Sequence, residues 1–413
     1  MSSLRAVFFR LMLIICLVTA WIPTNGVSAA AGAQQRTPEQ KAADLLARTS
    51  PEERVGQLFL ITFNGTSVNT DTKIYELLSK YRIGGVALKA SNENFPSSDS
   101  LLQNTQQLTT ELQKAAWNTN PTASSSSSTY APLFIGVSQE GNLYPYDQII
   151  SGMTPLPDLM SIGATWSTDL AKNVGAVMGK ELNALGFNLY LGPSLDVLDV
   201  RLTEGDDLST RSFGGDPYWV GELGKSYIQG LHSGSQNHMA VIAKHFPGRG
   251  SSDRSPDLEV ATVRKSLEQL TQVELAPFFS VTGNAFTPET TTDGLLVSHI
   301  RYQGFQGNIR VTTRPVSFDQ AALEQWMGLP QFSEWYSKGG IVVTEDLGSQ
   351  AVRKFYDPNG VSFDARQVAR SAFLAGNDLL YMDNFVASGD ADKYVTIART
   401  LDFFIQKYQE DQA

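Results

Sequence analysis

The stretch Val241-Ile242-Ala243-Lys244-His245-Phe246-Pro247-Gly248-Arg249-Gly250 joins an apolar run to two polar side chains and then to a turn punctuated by proline and glycine. The apolar residues 239–242 have the composition of a strand buried on both faces, as in a parallel sheet. Lys244 and His245 stand where such a strand runs out, and Pro247, Gly248 and Gly250 stop it and open the backbone to loop conformations. The segment is therefore expected to be a buried strand that ends in a site.

The same grammar recurs along the chain. Short apolar runs cover 58–63, 84–89, 133–137, 189–195, 239–243, 294–298, 341–344 and 378–382. Amphipathic stretches at 101–117, 169–185, 219–232, 263–279, 318–327 and 363–375 separate most of them, and 394–408 closes the chain. Eight buried strands alternating with helices predict an α/β protein, a single (β/α)8 TIM-type barrel, imperfect at its first strands. An open doubly wound sheet is the alternative. Thr37 and Ser50 are expected N-caps, each followed by proline and, three residues on, by Gln40 and Glu53. The serine tract 124–128 is expected to be a surface insertion without chemistry.

The first 29 residues stand apart. Arg5 and Arg10 precede the apolar run 11–22, and Val27-Ser28-Ala29 has the small-residue pattern of a secretory cleavage site. Expected are a signal peptide over 1–29, a flexible lead-in over 30–36 and one barrel domain over 37–413, secreted or held in a bacterial cell envelope. An uncleaved anchor is the alternative. The single cysteine, Cys16, lies in that leader, so no disulfide is expected in the mature chain. The net charge is −10, and −12 without the leader, which argues against nucleic acid as a partner. No second long apolar run follows, so no membrane span is expected after the leader, and a monomer is expected.

In a barrel of this type the active site lies at the carboxyl ends of the strands. There the runs end in Ser138-Gln139-Glu140-Gly141, Asp196, Lys244-His245, Ser298-His299 and Thr344-Glu345-Asp346, and Arg211 lies between the fourth and fifth. Cations and carboxylates of this kind suit the directional hydrogen bonding of sugar hydroxyls, and an acidic strand end can attack an anomeric carbon. The histidines 232, 238, 245 and 299 include no i,i+4 pair, and no dinucleotide or phosphate-loop glycine motif occurs, so no metal and no cofactor is expected. Five tryptophans beyond the leader fit amphipathic helices or their ends, Tyr144 and Tyr146 are expected at a pocket mouth, and the acidic residues 204, 206 and 207 are expected in a solvated turn.

The segments LFIGVSQEG, LGPSLDV, TRSFGGDP, VIAKHFPGRG, LLVSHI and GGIVVTEDL, in this order, resemble the family 3 glycoside hydrolases. The likeness is to their short single-barrel branch, the bacterial β-N-acetylglucosaminidases, and covers about residues 40 to 385. It implies a retaining β-N-acetylhexosaminidase acting on a carbohydrate substrate through a glycosyl-enzyme intermediate, without metal or cofactor. By position, Arg211, Lys244 and His245 correspond to sugar-binding residues and Asp196 to the aspartate of the LDV motif. Glu140, Arg249 and His299 are expected to join them in binding substrate.

The catalytic positions depart from the pattern. Glu345 stands where the family has its nucleophilic aspartate, with Asp346 as the fallback. The loop 249–257, where the short branch carries an Asp-x-His pair, contains no histidine, so Asp257 or Asp253 is the expected acid. Arg249 also replaces a histidine, and Ser138 an aspartate. Two functions follow: an exported exo-glycosidase with a substituted acid, or a catalytically inactive barrel that binds sugars or peptidoglycan fragments.

Overall fold

A computed structural model describes residues 37–118, 130–144, 146–199 and 208–412. The leader, the serine tract and the acidic residues 204, 206 and 207 lie outside the described residues. The chain divides at Arg48 into two units. In the first, the helix Pro38–Leu46 is capped by Thr37, whose hydroxyl accepts the Gln40 N–H while the Gln40 side chain accepts from the Thr37 backbone. The second unit opens with the helix Pro51–Gly56, closed by the same reciprocal pair between Ser50 and Glu53.

The eight expected strands form, and all their pairings are parallel. They are β1 (Phe59–Ile61), β2 (Gly85–Ala87), β3 (Phe134–Val137), β4 (Leu189–Ser194), β5 (Ala240–Phe246), β6 (Gly294–Val297), β7 (Ile341–Thr344) and β8 (Leu380–Met382). Each pairs with the next in sequence, and β1 also pairs with β8, with Phe59 opposite Leu380. A bridge from Val343 to Leu379 and a hydrogen bond from the Thr344 N–H to the Leu379 carbonyl join β7 to β8 and close the barrel. β1 and β2 are only three residues long, yet each is paired on both sides.

The apolar runs lack a polar face because both faces are covered. One set of buried side chains, including Leu60, Leu189, Ile242, Leu296 and Val343, fills the barrel interior. Their strand neighbours, such as Phe59, Ile61, Val241, Leu295 and Val342, belong to a larger layer shared with the helices. This two-sided burial is what parallel strands in a closed barrel require.

The structure differs from the sequence reading in three places. β5 runs on to Phe246, so Lys244 and His245 are inside the strand, and the pairing with β6 shifts register between Lys244 and Phe246. The expected helix 263–279 is broken. Thr262–Val263 pairs with Arg301–Tyr302 in a separate two-stranded ribbon, and the helices Leu267–Gln272 and Ala276–Val281 follow. Ser266 caps the first helix in a capping box with Gln269, and Pro277 starts the second, so local start signals override the longer apolar period. Finally, the helices Lys73–Lys80 and Gln350–Tyr356 form outside the expected amphipathic stretches. Among the described residues no helix is long and apolar enough to cross a membrane.

Candidate active site

A cleft of about 420 Å³ opens at the carboxyl ends of the strands. Ser138 after β3, Lys244 and His245 from β5, Glu345 and Asp346 after β7 and Asp383 after β8 line it, with Arg211, Arg249 and Asp257 from loops. Roomier open grooves elsewhere, such as one of about 750 Å³ bordered by Asp364, Asp390 and Arg399, lie between helices and loops and gather no residues from the strand ends. The register shift in β5 explains how two consecutive residues, Lys244 and His245, both reach the cleft; an unbroken strand would send them to opposite faces.

Beneath the cleft floor lies a buried ion network. Glu140 binds the Lys244 ammonium through one oxygen and is held bidentately by Arg211. Ser138 completes it, accepting from Lys244 at 2.9 Å and donating to Glu140 at 3.1 Å. Burial alone would push the Glu140 carboxyl up, but Lys244 and Arg211 hold it far below the usual carboxylate range. Glu140 therefore positions the two cations and does not itself line the cleft.

Asp196 has a similar place under the other wall. It accepts from Ser194 at 2.8 Å, from the Arg249 N–H at 2.7 Å and from His245 Nδ1 at 2.7 Å. Because that aspartate can only accept, His245 carries its proton on Nδ1 and has Nε2 as the remaining acceptor. Burial, with Arg249 nearby, keeps His245 below its ordinary pKa and so neutral. The loop after β5 is seated by close approach at Gly250, where a Cβ would come within 1.8 Å of the Val197 carbonyl oxygen.

Glu345 is oriented by its surroundings. One carboxylate oxygen accepts the His299 N–H at 3.2 Å and the other lies 3.8 Å from the Arg249 guanidinium. Burial raises its pKa, His245, Arg249 and His299 lower it, and the net shift is downward. A carboxylate held ionised beside an open cleft is in the form a nucleophile needs. His299 reaches no ligand with its ring. Its Nε2–H donates to the Asp346 carbonyl at 3.0 Å, its Nδ1 accepts from Ser317 at 2.7 Å, and the ring stacks on Phe318. It is a support for the end of β7.

The two expected acids differ in placement. Asp253 does not line the cleft; it accepts the Thr262 N–H at 2.8 Å and faces Arg254 and Arg264. Asp257 does line it, but half-exposed and 3.5 Å from Arg249, in an ion pair that suits a carboxylate better than a proton donor. Tyr144 is exposed outside the cleft, and Tyr146 lies against the Arg211 guanidinium. Among the described residues no tryptophan lines the cleft.

Asp346 is a carboxyl inclined to keep its proton. Burial and the nearby Asp383 carboxylate push it up to about 6, against backbone N–H bonds from Gly348 and Asp383. A raised carboxyl favours the fold while protonated. That stability is full below its ordinary value of 3.8 and is lost as pH rises through about 6. Asp346→Asn keeps the acceptor oxygen and has no charge to develop, so the Tm of the variant relative to that of the parent protein is expected to be higher at pH 7 than at pH 4. The same difference at both pH values in thermal scans would mean that Asp346 titrates normally.

Among the cleft residues not foreseen as site residues, two are charged. Lys89, at the end of β2, forms an ion pair with Asp383, at the end of β8. The only hint of them in the sequence is a polar residue closing each of these apolar runs.

The fold and this cleft define a (β/α)8 barrel whose strand ends gather carboxylates, guanidinium groups and ammonium groups around one open pocket. Residues 50–402 match the Glycosyl hydrolase family 3 N terminal domain, and the chain belongs to that family. It is similar to a Beta-hexosaminidase of Idiomarina loihiensis, 26% identical over 330 residues that cover 79% of this chain and 83% of the relative. It is also 26% identical to a Beta-hexosaminidase of Hydrogenovibrio crunogenus over 265 residues, 62% of this chain. A solved family 3 β-N-acetylglucosaminidase from Paenibacillus sp. superposes with a TM-score of 0.70 at 25% identity over 88% of this chain. The chain spans 65% of the Hydrogenovibrio relative and 59% of the Paenibacillus structure.

Proposed function

We propose that this chain is an exported retaining glycosidase of β-linked sugars, with N-acetylhexosaminides as the substrate class, and that Glu345 is its nucleophile. The observation that carries the reading is the Glu345 carboxylate, set at the rim of β7 by the His299 N–H and Arg249 and facing the same cleft as Lys244, His245 and Arg211. Glu345 attacks the anomeric carbon as the bond to the aglycone oxygen breaks with its electron pair. Water then displaces the carboxylate from the glycosyl-enzyme. The names of the relatives support the substrate class, and the apolar leader with its small-residue site supports export.

The leaving oxygen needs a proton, and the loop over the cleft is poorly built to give it. Asp257, the carboxyl of that loop that reaches the cleft, is paired to Arg249. General acid catalysis contributes about 10²- to 10⁴-fold, an advantage that a leaving group stable as an anion does not need. Hydrolysis of 2,4-dinitrophenyl β-N-acetylglucosaminide is therefore expected to exceed that of the p-nitrophenyl glycoside by about 10²-fold or more in kcat/KM. Equal rates would establish a working acid. The same ion pair favours a second reading, a barrel that binds sugar without cleaving it, and for that protein titration calorimetry would find binding while both substrates stay intact.

A further inference from the structure

We propose that the half of the cleft built at the ends of β1, β2 and β8 is a subsite for an anionic group, a carboxylate or a phosphate, carried by the sugar ligand, with Lys89 as its charged contact. The proposal rests on the reading of the cleft as a carbohydrate site and names what kind of sugar it takes.

The two halves of the cleft differ in which groups are already spent. On the β3 and β5 side the ammonium of Lys244 is buried and consumed by Glu140 and Ser138. On the other side Lys89 gives one N–H to Asp383, yet its side chain is 34% exposed at the cleft wall, and an ammonium has three donors. Beside it, the Gln148 carbonyl oxygen accepts the Ala90 N–H at 2.9 Å, which leaves the amide NH2 as this residue's group for a ligand. Asn384 and Gln350 bring further amides to the rim.

The carboxylate at the centre of this cluster is closed to ligands. Asp383 accepts from Thr62 at 2.7 Å, from Asn92 at 3.3 Å and from Lys89, and its side chain is only 2% exposed. Behind it a second, buried ammonium, Lys393, donates to Thr62 at 3.2 Å. The groups that reach the cleft here are therefore mainly donors, backed by two ammonium groups and one saturated carboxylate.

Asp346 sets the balance. It faces Asp383 after β8, Lys89 after β2, Lys393 on the final helix and Arg353 on the helix after β7; Glu345 is its chain neighbour, and the Tyr381 hydroxyl stays protonated. Below about pH 6 it is neutral, so Lys89 and Lys393 then have Asp383 as their ionised carboxylate, with Glu345 as the nearest further anion. A ligand anion would take the N–H groups of Lys89 that Asp383 does not.

The test is titration calorimetry of the full chain, at low salt and at pH 5.5 and 7.5, with N-acetylglucosamine, N-acetylmuramic acid and N-acetylglucosamine 6-phosphate. At least one acidic sugar is expected to bind about tenfold or more tighter than the neutral one, as a charge-assisted contact implies, with the larger preference at pH 5.5. Which acidic sugar is preferred identifies a carboxylate or a phosphate. The preference should disappear in Lys89→Gln and persist in Lys89→Arg, which also separates lost charge from lost fold. Equal or weaker binding of both acidic sugars, or a preference that survives in folded Lys89→Gln, overturns the subsite alone. If none of the three sugars binds, the carbohydrate reading falls with it.

Discussion

Glu345→Gln is expected to lower kcat for an activated β-N-acetylglucosaminide by at least about 10³-fold, because an amide cannot form the glycosyl ester. The substitution is nearly isosteric, so the fold should hold. The amide oxygen can still accept the His299 N–H that the carboxylate accepts at 3.2 Å. What changes is the charge beside Arg249, 3.8 Å away. Glu345→Asp is an informative companion, because it restores the family's residue type but draws the carboxylate back by one methylene. If the cleft was shaped around glutamate, the aspartate variant should lose activity too, since a shift of about 1 Å can cost on the order of a hundredfold. Activity retained in Glu345→Gln and lost in Asp346→Asn would transfer the nucleophile to Asp346.

Glu140→Ala is expected to destabilise the fold by about 3–5 kcal/mol, the scale for removing one partner from a buried ion network. Lys244 would then lose its anion and Arg211 its bidentate carboxylate, and Ser138 alone cannot neutralise the buried Lys244 ammonium. Urea denaturation reads the loss directly. Combining Glu140→Met with Lys244→Met removes both charges of the closest pair. The double variant is expected to lose much less than the two single losses together. A loss under about 1 kcal/mol in Glu140→Ala would mean that water replaces the carboxylate and that the network is worth no more than a surface pair.

These expectations bear on what the departures from the family pattern mean. Arg249 bridges the loop carboxyl Asp257 and the strand-end carboxylate Glu345. An arginine there helps to hold Glu345 as the anion a nucleophile needs and occupies Asp257 in an ion pair. The cleft is thus electrostatically prepared for the first bond-making step and poorly prepared for protonating the leaving oxygen. Reactivity weighted toward activated substrates is the kinetic form of that asymmetry.

The barrel was legible because its signal is local and repeated. Runs such as 189–195 and 294–298 are apolar on both faces, and only a closed or doubly covered parallel sheet buries such strands. The broken helix after Thr262–Val263 was not legible, since the serine cap at Ser266 and Pro277 outweigh an apolar period that looks continuous over 263–279. The candidate site was legible at the level of residue type. Arg211, Lys244, His245, Arg249, Asp257, Glu345 and Asp346 all line one cleft, as their places at or after strand ends suggested.

Sequence by itself determined the eight strands, their order and the polar character of their ends, because period, composition and capping act over a few residues. Only the tertiary structure decided which polar ends meet a ligand and which hold other side chains. Glu140, Asp196 and His299 are strand-end groups like Lys244 and Glu345, yet each is consumed by partners far away in the chain. Lys89 and Asp383, which share no motif, are joined only because β1, β2 and β8 lie side by side when the barrel closes. Direction and partnership at a strand end depend on register shifts and contacts between distant residues, and those exist only once the sheet has closed.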